Sequence, residues 1–365
     1  MNDRKIFYNL IIDISFVVFA VFFVAAHQLS GTFKGDAGSV VLVCLMSVTA
    51  FSLPMLFSGL CGRFLDRSLR LSVAYVYHRL LPRVFASTVI LCACGGMVYW
   101  KLYSDGDFRL GALRDSVYSI IRTPCCLYFY PMTLLMIILY PLFKRLIADK
   151  KYWKSMSILC FIVCLLSSAV AYLSFFPDEF GTALAYIAFI MMAVLVEHIH
   201  FDPTWRMIIY GAGLLASAFI IIMTIRYSVL QTEMDYTWVE EAMIFVLVQL
   251  FAALVLIRNR CRRIRSLDYE KRYWINELSS SGYIYVFVFS ILSVPVSSLP
   301  FIQALPGFLR FLLVIVISLV LTLAGCALLN RLPVVSWFTG LLQGEEPPAD
   351  KDRKLSSREK EAYFS

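Results

Sequence analysis

The chain has 365 residues, of which 60% are hydrophobic and 16% charged, and its mean hydropathy is +0.76. Soluble globular chains carry about 45–50% apolar and about 25% charged residues, and their cores stop growing beyond roughly 250–300 residues. This composition excludes a soluble enzyme, a nucleic-acid binder and a secreted disulfide scaffold, and it makes lipid the solvent for most of the chain.

A helix needs about 20 mainly apolar residues to cross the hydrocarbon core. Such segments recur at 6–26, 39–60, 84–103, 125–143, 157–175, 181–197, 207–224, 241–257, 282–297 and 308–330. Continuous apolar runs of helical length, without period-2 alternation, exclude a transmembrane barrel. The expected fold class is therefore all-α, a polytopic membrane bundle of about ten helices. The first segment follows Arg4 and Lys5 and ends Val24-Ala25-Ala26, like a signal peptide, yet its apolar stretch is too long and carries Asp13. It reads as a retained span.

The net charge of +8 would suggest a polyanion partner in a soluble protein. In a membrane protein its distribution matters more. With the N-terminus inside, 26 Lys and Arg residues fall on the cytoplasmic side and seven on the other, which predicts N-in and C-in. The longest outer pieces are 104–124 and 226–240. Residues 1–342 read as one membrane domain. Residues 343–365, with Glu345, Glu346, two prolines and mixed charge, read as a disordered cytoplasmic tail.

Ionisable residues inside spans are costly and are functional candidates by default. Asp13 and His27 are fourteen residues apart on the first span, within about 40° of a whole number of turns, so they share a helix face. Two readings fit. One is a packed aspartate and a self-solvating interfacial histidine; the other is a polar track with His27 as a general base at the outer mouth. In the second span Pro54 bends the helix, and Ser58-Gly59 lets another helix approach closely. That approach is either plain packing or the wall of a channel.

The following loop carries Arg63, Arg67, Arg70, Arg79 and Arg83. Positive-inside retention explains it, and guanidinium clusters also suit the phosphates of a nucleotide-like donor. The cluster at 258–272 has the same two readings, with anionic lipid headgroups as the common partner. His198 and His200 lie about 200° apart on a helix, so they do not share a metal there, and no metal site is expected. Glu197, at the end of span 6, reads as an interfacial charge. The ten cysteines fall mostly in apolar runs and read as small hydrophobes; Cys92/Cys94 and Cys125/Cys126 form no paired zinc motif.

Several segments together resemble the acyltransferase-3 family of polytopic bacterial O-acyltransferases. The first span, with Asp13 and His27 in register, resembles that family's first helix. LeuProMetLeuPheSerGly (53–59) resembles its second, and ArgLeuLeuPro (79–82) its basic approach to the third. Leu127-Tyr128-Phe129, Tyr140-Pro141-Leu142, the stretch 278–286 and the stretch 330–340 follow in the family's order. Three positions depart from the pattern: Phe16 and Val76 stand where arginines are expected, and Val288 where a histidine is expected.

The resemblance implies acyl transfer, most often acetyl, from cytosolic acyl-CoA to a hydroxyl of a surface or lipid-linked glycan. The setting it implies is a bacterial cytoplasmic membrane, with membrane lipid and the saccharide acceptor as partners, no nucleic acid and no bound cofactor. On that reading His27 is the base and Asp13 orients the polar track. Arg79 and Arg83, with Arg63 and Arg67, hold the donor phosphates, and Ser58-Gly59 packs beside the channel. The rival expectations are an exporter of a glycan or lipid-linked precursor and a catalytically inactive family relative. The first is disfavoured by the lack of two matching repeats in the hydropathy.

Overall fold

The computed structural model describes residues 3–29, 35–68, 73–103, 130–148, 152–173, 178–199, 201–231, 233–240, 243–264 and 282–331. Outside them lie the loop 104–124, residues 127–129, His200, Arg70, Cys125 and Cys126, most of the basic cluster 258–272, residues 278–281 and 332–340, and the tail 343–365. The side chains of Arg67, Cys92 and Cys94 are also outside.

The regular elements are helices: α1 (Asp3–Leu29), α2 (Ala37–Val48), α3 (Ser52–Ser68), α4 (Leu81–Tyr103), α5 (Tyr130–Ile138), α6 (Tyr140–Ala148), α7 (Trp153–Leu173), α8 (Asp178–His198), α9 (Pro203–Gln231), α10 (Ile244–Ile264), α11 (Gly282–Ser297) and α12 (Gly307–Arg331). Short helical turns join some of them, including a π-helical turn at Val76–Leu80 just before Pro82.

Among the described residues, six stretches are long and apolar enough to cross a membrane: Phe7–Leu29, Ala37–Leu65, Gly181–His198, Pro203–Gln231, Thr237–Cys261 and Gly307–Leu328. The chain is thus an all-helical, multi-pass membrane protein. The other expected spans fall on α4, on α5 with α6, on α7 and on α11. Their described apolar stretches are shorter or interrupted. The outward faces are apolar: Met207, Leu214 and Leu215 on α9 are each more than 70% exposed on the protein surface. In water such a face would be a liability; against lipid it is the expected finish.

Two of the expected spans are broken, and proline explains both. A proline ring collides with the carbonyl four residues earlier and donates no hydrogen bond. Pro54 accordingly sits in the first turn of α3, four residues after Ala50, which lies in the interruption between α2 and α3. Pro141 sits four after Ile137, at the join of α5 and α6. At the first break Thr49 closes α2 by donating its hydroxyl to Leu45 O at 2.6 Å. Gln249 of α10 donates its amide to Ser47 O at 3.0 Å and to Ser217 Oγ at 2.8 Å. Near the second break, Tyr77 donates its hydroxyl to Ile138 O at 2.5 Å. Carbonyls freed within lipid thus find donors inside the protein.

α1 is the central element. It packs against α2, α3, α10, α11 and α12, while α7 pairs with α8, α9 with α10, and α11 with α12. The approach of α3 to α1 depends on two glycines. A Cβ on Gly59 would lie 2.8 Å from Ile11 and 2.9 Å from Ile12, and one on Gly62 would lie 2.0 Å from the Tyr8 ring. Tyr8 is 2% exposed and held by a hydrogen bond at its tip, so it has no room to yield. Replacing Gly62 with Ala should therefore destabilise the bundle by about 1–3 kcal/mol or more through overpacking. Gly211→Ala meets nothing within 4 Å and should be neutral or stabilise by about 0.5–1 kcal/mol. Reversible SDS titration of the two variants in micelles measures the difference.

Candidate functional site

The polar side chains of α1 fall into two groups at its two ends, separated by aromatic rings. At the N-terminal end Tyr8 donates its hydroxyl to a carboxylate oxygen of Glu197, the last acidic residue of α8. Glu197 is 5% exposed. The expectation of an interfacial charge is therefore corrected: the carboxylate lies inside the bundle, because α8 runs against α3 and α10 up to its last turn. Arg258 of α10 donates to Glu197 O at 3.1 Å, with its guanidinium 5.5 Å from the centre of the Phe7 ring. A cation over an aromatic face is stabilised by the ring quadrupole.

One turn further along α1 is Asp13. Both its carboxylate oxygens are shielded from solvent and have no hydrogen-bond partner among the described residues. The guanidinium of Arg63 acts on it through space. Arg63 itself is 7% exposed. It is thus withdrawn from the exposed basic group that the sequence suggests for donor phosphates, and it serves the interior of the bundle. Arg79 remains exposed on the π-helical turn, 6.0 Å from the Tyr75 ring centre, and Arg83 is half-buried on α4. Ser58 is fully buried; its hydroxyl lies 2.8 Å from Pro54 O and 3.1 Å from Phe189 O, joining α3 to α8.

Above Asp13 the face of α1 turns aromatic. Phe16 stacks on Tyr285 of α11, with ring centres 3.9 Å apart and planes 15° from parallel. The Tyr285 hydroxyl donates to Phe16 O at 3.0 Å. Phe289 continues the stack, 5.9 Å from Tyr285 and edge-on to Phe19 and Phe23. Offset and edge-to-face pairs of this kind stabilise beyond their buried area. Asp13 and His27 share a continuous helix, yet they stand about 21 Å apart along its axis. Phe16, Ala20 and Val24, all buried, fill the interval. The structure does not bring the two residues together, and the polar track is interrupted between them. Of the other departures from the resemblance, Val76 is fully buried in the π-helical turn, and Val288 lies against the Gly325 position of α12.

His27 stands in the last turn of α1 with its ring exposed. Its Nε2 is 3.5 Å from Ser297 Oγ at the end of α11. Arg310, in the first turn of α12, acts on the imidazole through space, and its Nη2 reaches Ser297 O at 3.5 Å. Tyr236 donates its hydroxyl to Ala26 O at 3.3 Å, which brings the 233–240 segment to the same end. α11 stops here because Pro300 holds Leu299 in an extended conformation, which leaves Ser297 beside α1.

Sequence reasoning missed Tyr8, Arg258, Gln249, Ser297 and Arg310. Gln249 and Glu197 carried a signal as polar groups within or at the edge of apolar runs. Arg258 and Arg310 were absorbed into loop charge counts. Tyr8 and Ser297 carried none, since both residue types are common at span ends. At His198, Nδ1 is 2.8 Å from Val194 O. Among the described residues no group of three His, Cys, Asp or Glu side chains is placed to hold a metal. Between α3, α5, α6 and α8 lies a narrow crevice of about 10 Å³ lined by apolar and aromatic side chains, among them Phe57, Met136 and Tyr186.

No family model matches this chain, and no curated protein or solved structure is similar to it.

The Tyr8–Glu197 bond ties α1 to α8 deep within the bundle, and a hydrogen bond to a charged group contributes about 1.5–3 kcal/mol. Tyr8→Phe and Glu197→Gln should each destabilise the protein, and the double variant should lose less than their sum. A double-mutant cycle by SDS titration reads that coupling.

Proposed function

We propose that the chain is an integral membrane O-acyltransferase that moves an acyl group, acetyl in the simplest case, from cytosolic acyl-CoA to a hydroxyl of a surface or lipid-linked glycan. Ten spans, both termini in the cytoplasm and a bacterial inner membrane complete the reading. The observation that carries it is the histidine at the end of α1, set against a serine hydroxyl and a guanidinium contributed by α11 and α12. The ordered resemblance of segments along the chain supports the same reading.

In the reaction the glycan hydroxyl oxygen attacks the thioester carbonyl carbon. The carbon–sulfur bond breaks, and the hydroxyl proton passes to His27 and on to the departing thiolate. A positioned base contributes about 10²–10⁴-fold to such a step. On this reading Arg79 and Arg83 hold the donor phosphates at the cytoplasmic side. Asp13, paired through space with Arg63, orders the inner end of α1 and takes no part in proton transfer at His27, some 21 Å away along the helix. With the α1–α11 seam filled by Phe16 and Tyr285, the donor's thioester reaches His27 by another route than that seam.

Two rival readings each have an observation in their favour. The break between α2 and α3, bridged by Ser47, Gln249 and Ser217, resembles the discontinuous helices of carriers and favours an exporter of a lipid-linked precursor. Phe16 in the place of an arginine favours a relative without catalysis.

The test measures acyl transfer from acetyl-CoA into glycan in membranes, with surface glycan as a parallel readout. His27→Ala should lower the initial rate by about 100-fold or more while surface glycan is unchanged. Asp13→Asn should lower it far less. Unchanged acylation with reduced surface glycan would select the exporter.

A further inference from the structure

The end of the bundle that holds His27 also holds a guanidinium whose hydrogen bonding is incomplete. Arg310 is half-buried, and its Nε is shielded from solvent with no hydrogen-bond partner among the described residues. Its Nη2 makes one long contact, 3.5 Å, to Ser297 O. A guanidinium offers five donors in a planar fork that matches phosphate and carboxylate geometry. In the 233–240 segment, which reaches this end through Tyr236, the Asp235 carboxylate accepts the Thr237 N–H at 2.9 Å.

Ser297 fixes the arrangement. Its hydroxyl is 2.7 Å from Val294 O, so its single proton is committed there and its lone pairs are left toward His27. Arg310 also sits in the first turn of α12, where the helix dipole favours an anion. Guanidinium and helix terminus together make this end electropositive. Around it the surface is apolar: Phe301 and Phe308 are about 60% exposed beside the site, on the connection from α11 and at the start of α12. A ligand that fits both features carries an oxyanion at the bilayer surface and an apolar chain in the lipid.

We propose that Arg310, positioned by Ser297, is the receptor for the phosphate of a lipid-linked saccharide, whose chain lies along Phe301 and Phe308. Phosphate capture by Arg310 brings the sugar joined to that phosphate next to His27, which makes a hydroxyl of the lipid-proximal sugar the acylated one. The identity of that hydroxyl rests on the acyltransferase reading. The binding site does not.

The test uses the full chain in phosphatidylcholine nanodiscs, with farnesyl diphosphate as the probe and farnesol as its uncharged counterpart. Binding is read from tryptophan fluorescence and from thermal midpoint. Farnesyl diphosphate should bind and raise the midpoint, and farnesol should not. Arg310→Gln should weaken binding about tenfold or more, whereas Arg310→Lys keeps much of it as a point charge. Ser297→Ala keeps the backbone carbonyl that Arg310 Nη2 contacts and should leave binding within about threefold. His27→Ala, which abolishes transfer on the acyltransferase reading, should leave binding within about threefold, so the two ideas fail separately. Equal binding by wild type and Arg310→Gln overturns the proposal. So does full competition by phosphatidylglycerol at equal mole fraction, which makes the site a general anionic-lipid contact. If Arg310→Gln does not fold, the lysine variant and the phosphatidylglycerol competition still decide.

Discussion

The first helix is enclosed by five others, and in lipid that enclosure obliges the protein to answer for every polar atom α1 carries. Gly59 and Gly62 bring α3 against it so closely that a single added carbon would collide. That closeness fixes Tyr8 in line with Glu197 and keeps Arg63 within reach of Asp13. Loosening the α1–α3 contact would leave charged groups buried without their partners, a far larger cost than the lost dispersion contacts. Small residues at the interface and charges behind it are thus one device.

The same enclosure divides the chemistry. Between the inner cluster and His27, α1 and α11 are joined by a ladder of rings, and the Tyr285 hydroxyl finds its acceptor on the α1 backbone. Aromatic packing here occupies the place where an arginine would have given a continuous polar face. The N-terminal end gathers opposite charges, Arg63 and Arg258 with Asp13 and Glu197. The other end keeps an exposed imidazole beside a guanidinium that the protein leaves incompletely bonded. A cluster of opposite charges that answer one another stabilises a fold. An unanswered donor beside a titratable ring is where a ligand is received.

Much of the fold was legible in the sequence, because long apolar runs need no partner to declare themselves. The breaks near residues 50 and 139 follow from Pro54 and Pro141, although the donors that mend them, Gln249 and Tyr77, do not. Helical periodicity correctly put Asp13 and His27 on one face, but periodicity is silent about what fills that face between them. The basic loop misled in one respect: Arg63 belongs to the same charge run as Arg67 and Arg79, yet it lies buried on α3.

By itself, the sequence determined an all-helical membrane protein, the positions of its apolar helices and the few polar residues that burial would make expensive. Those properties are local, set by hydropathy and by the reach of one proline ring. Only the tertiary structure decided which polar residues answer one another. Tyr8 and Glu197 are 189 residues apart, and His27 and Ser297 are 270 apart. Such pairs are chosen by which helices pack together, and helix packing in lipid depends on close surface fit rather than on hydrophobicity.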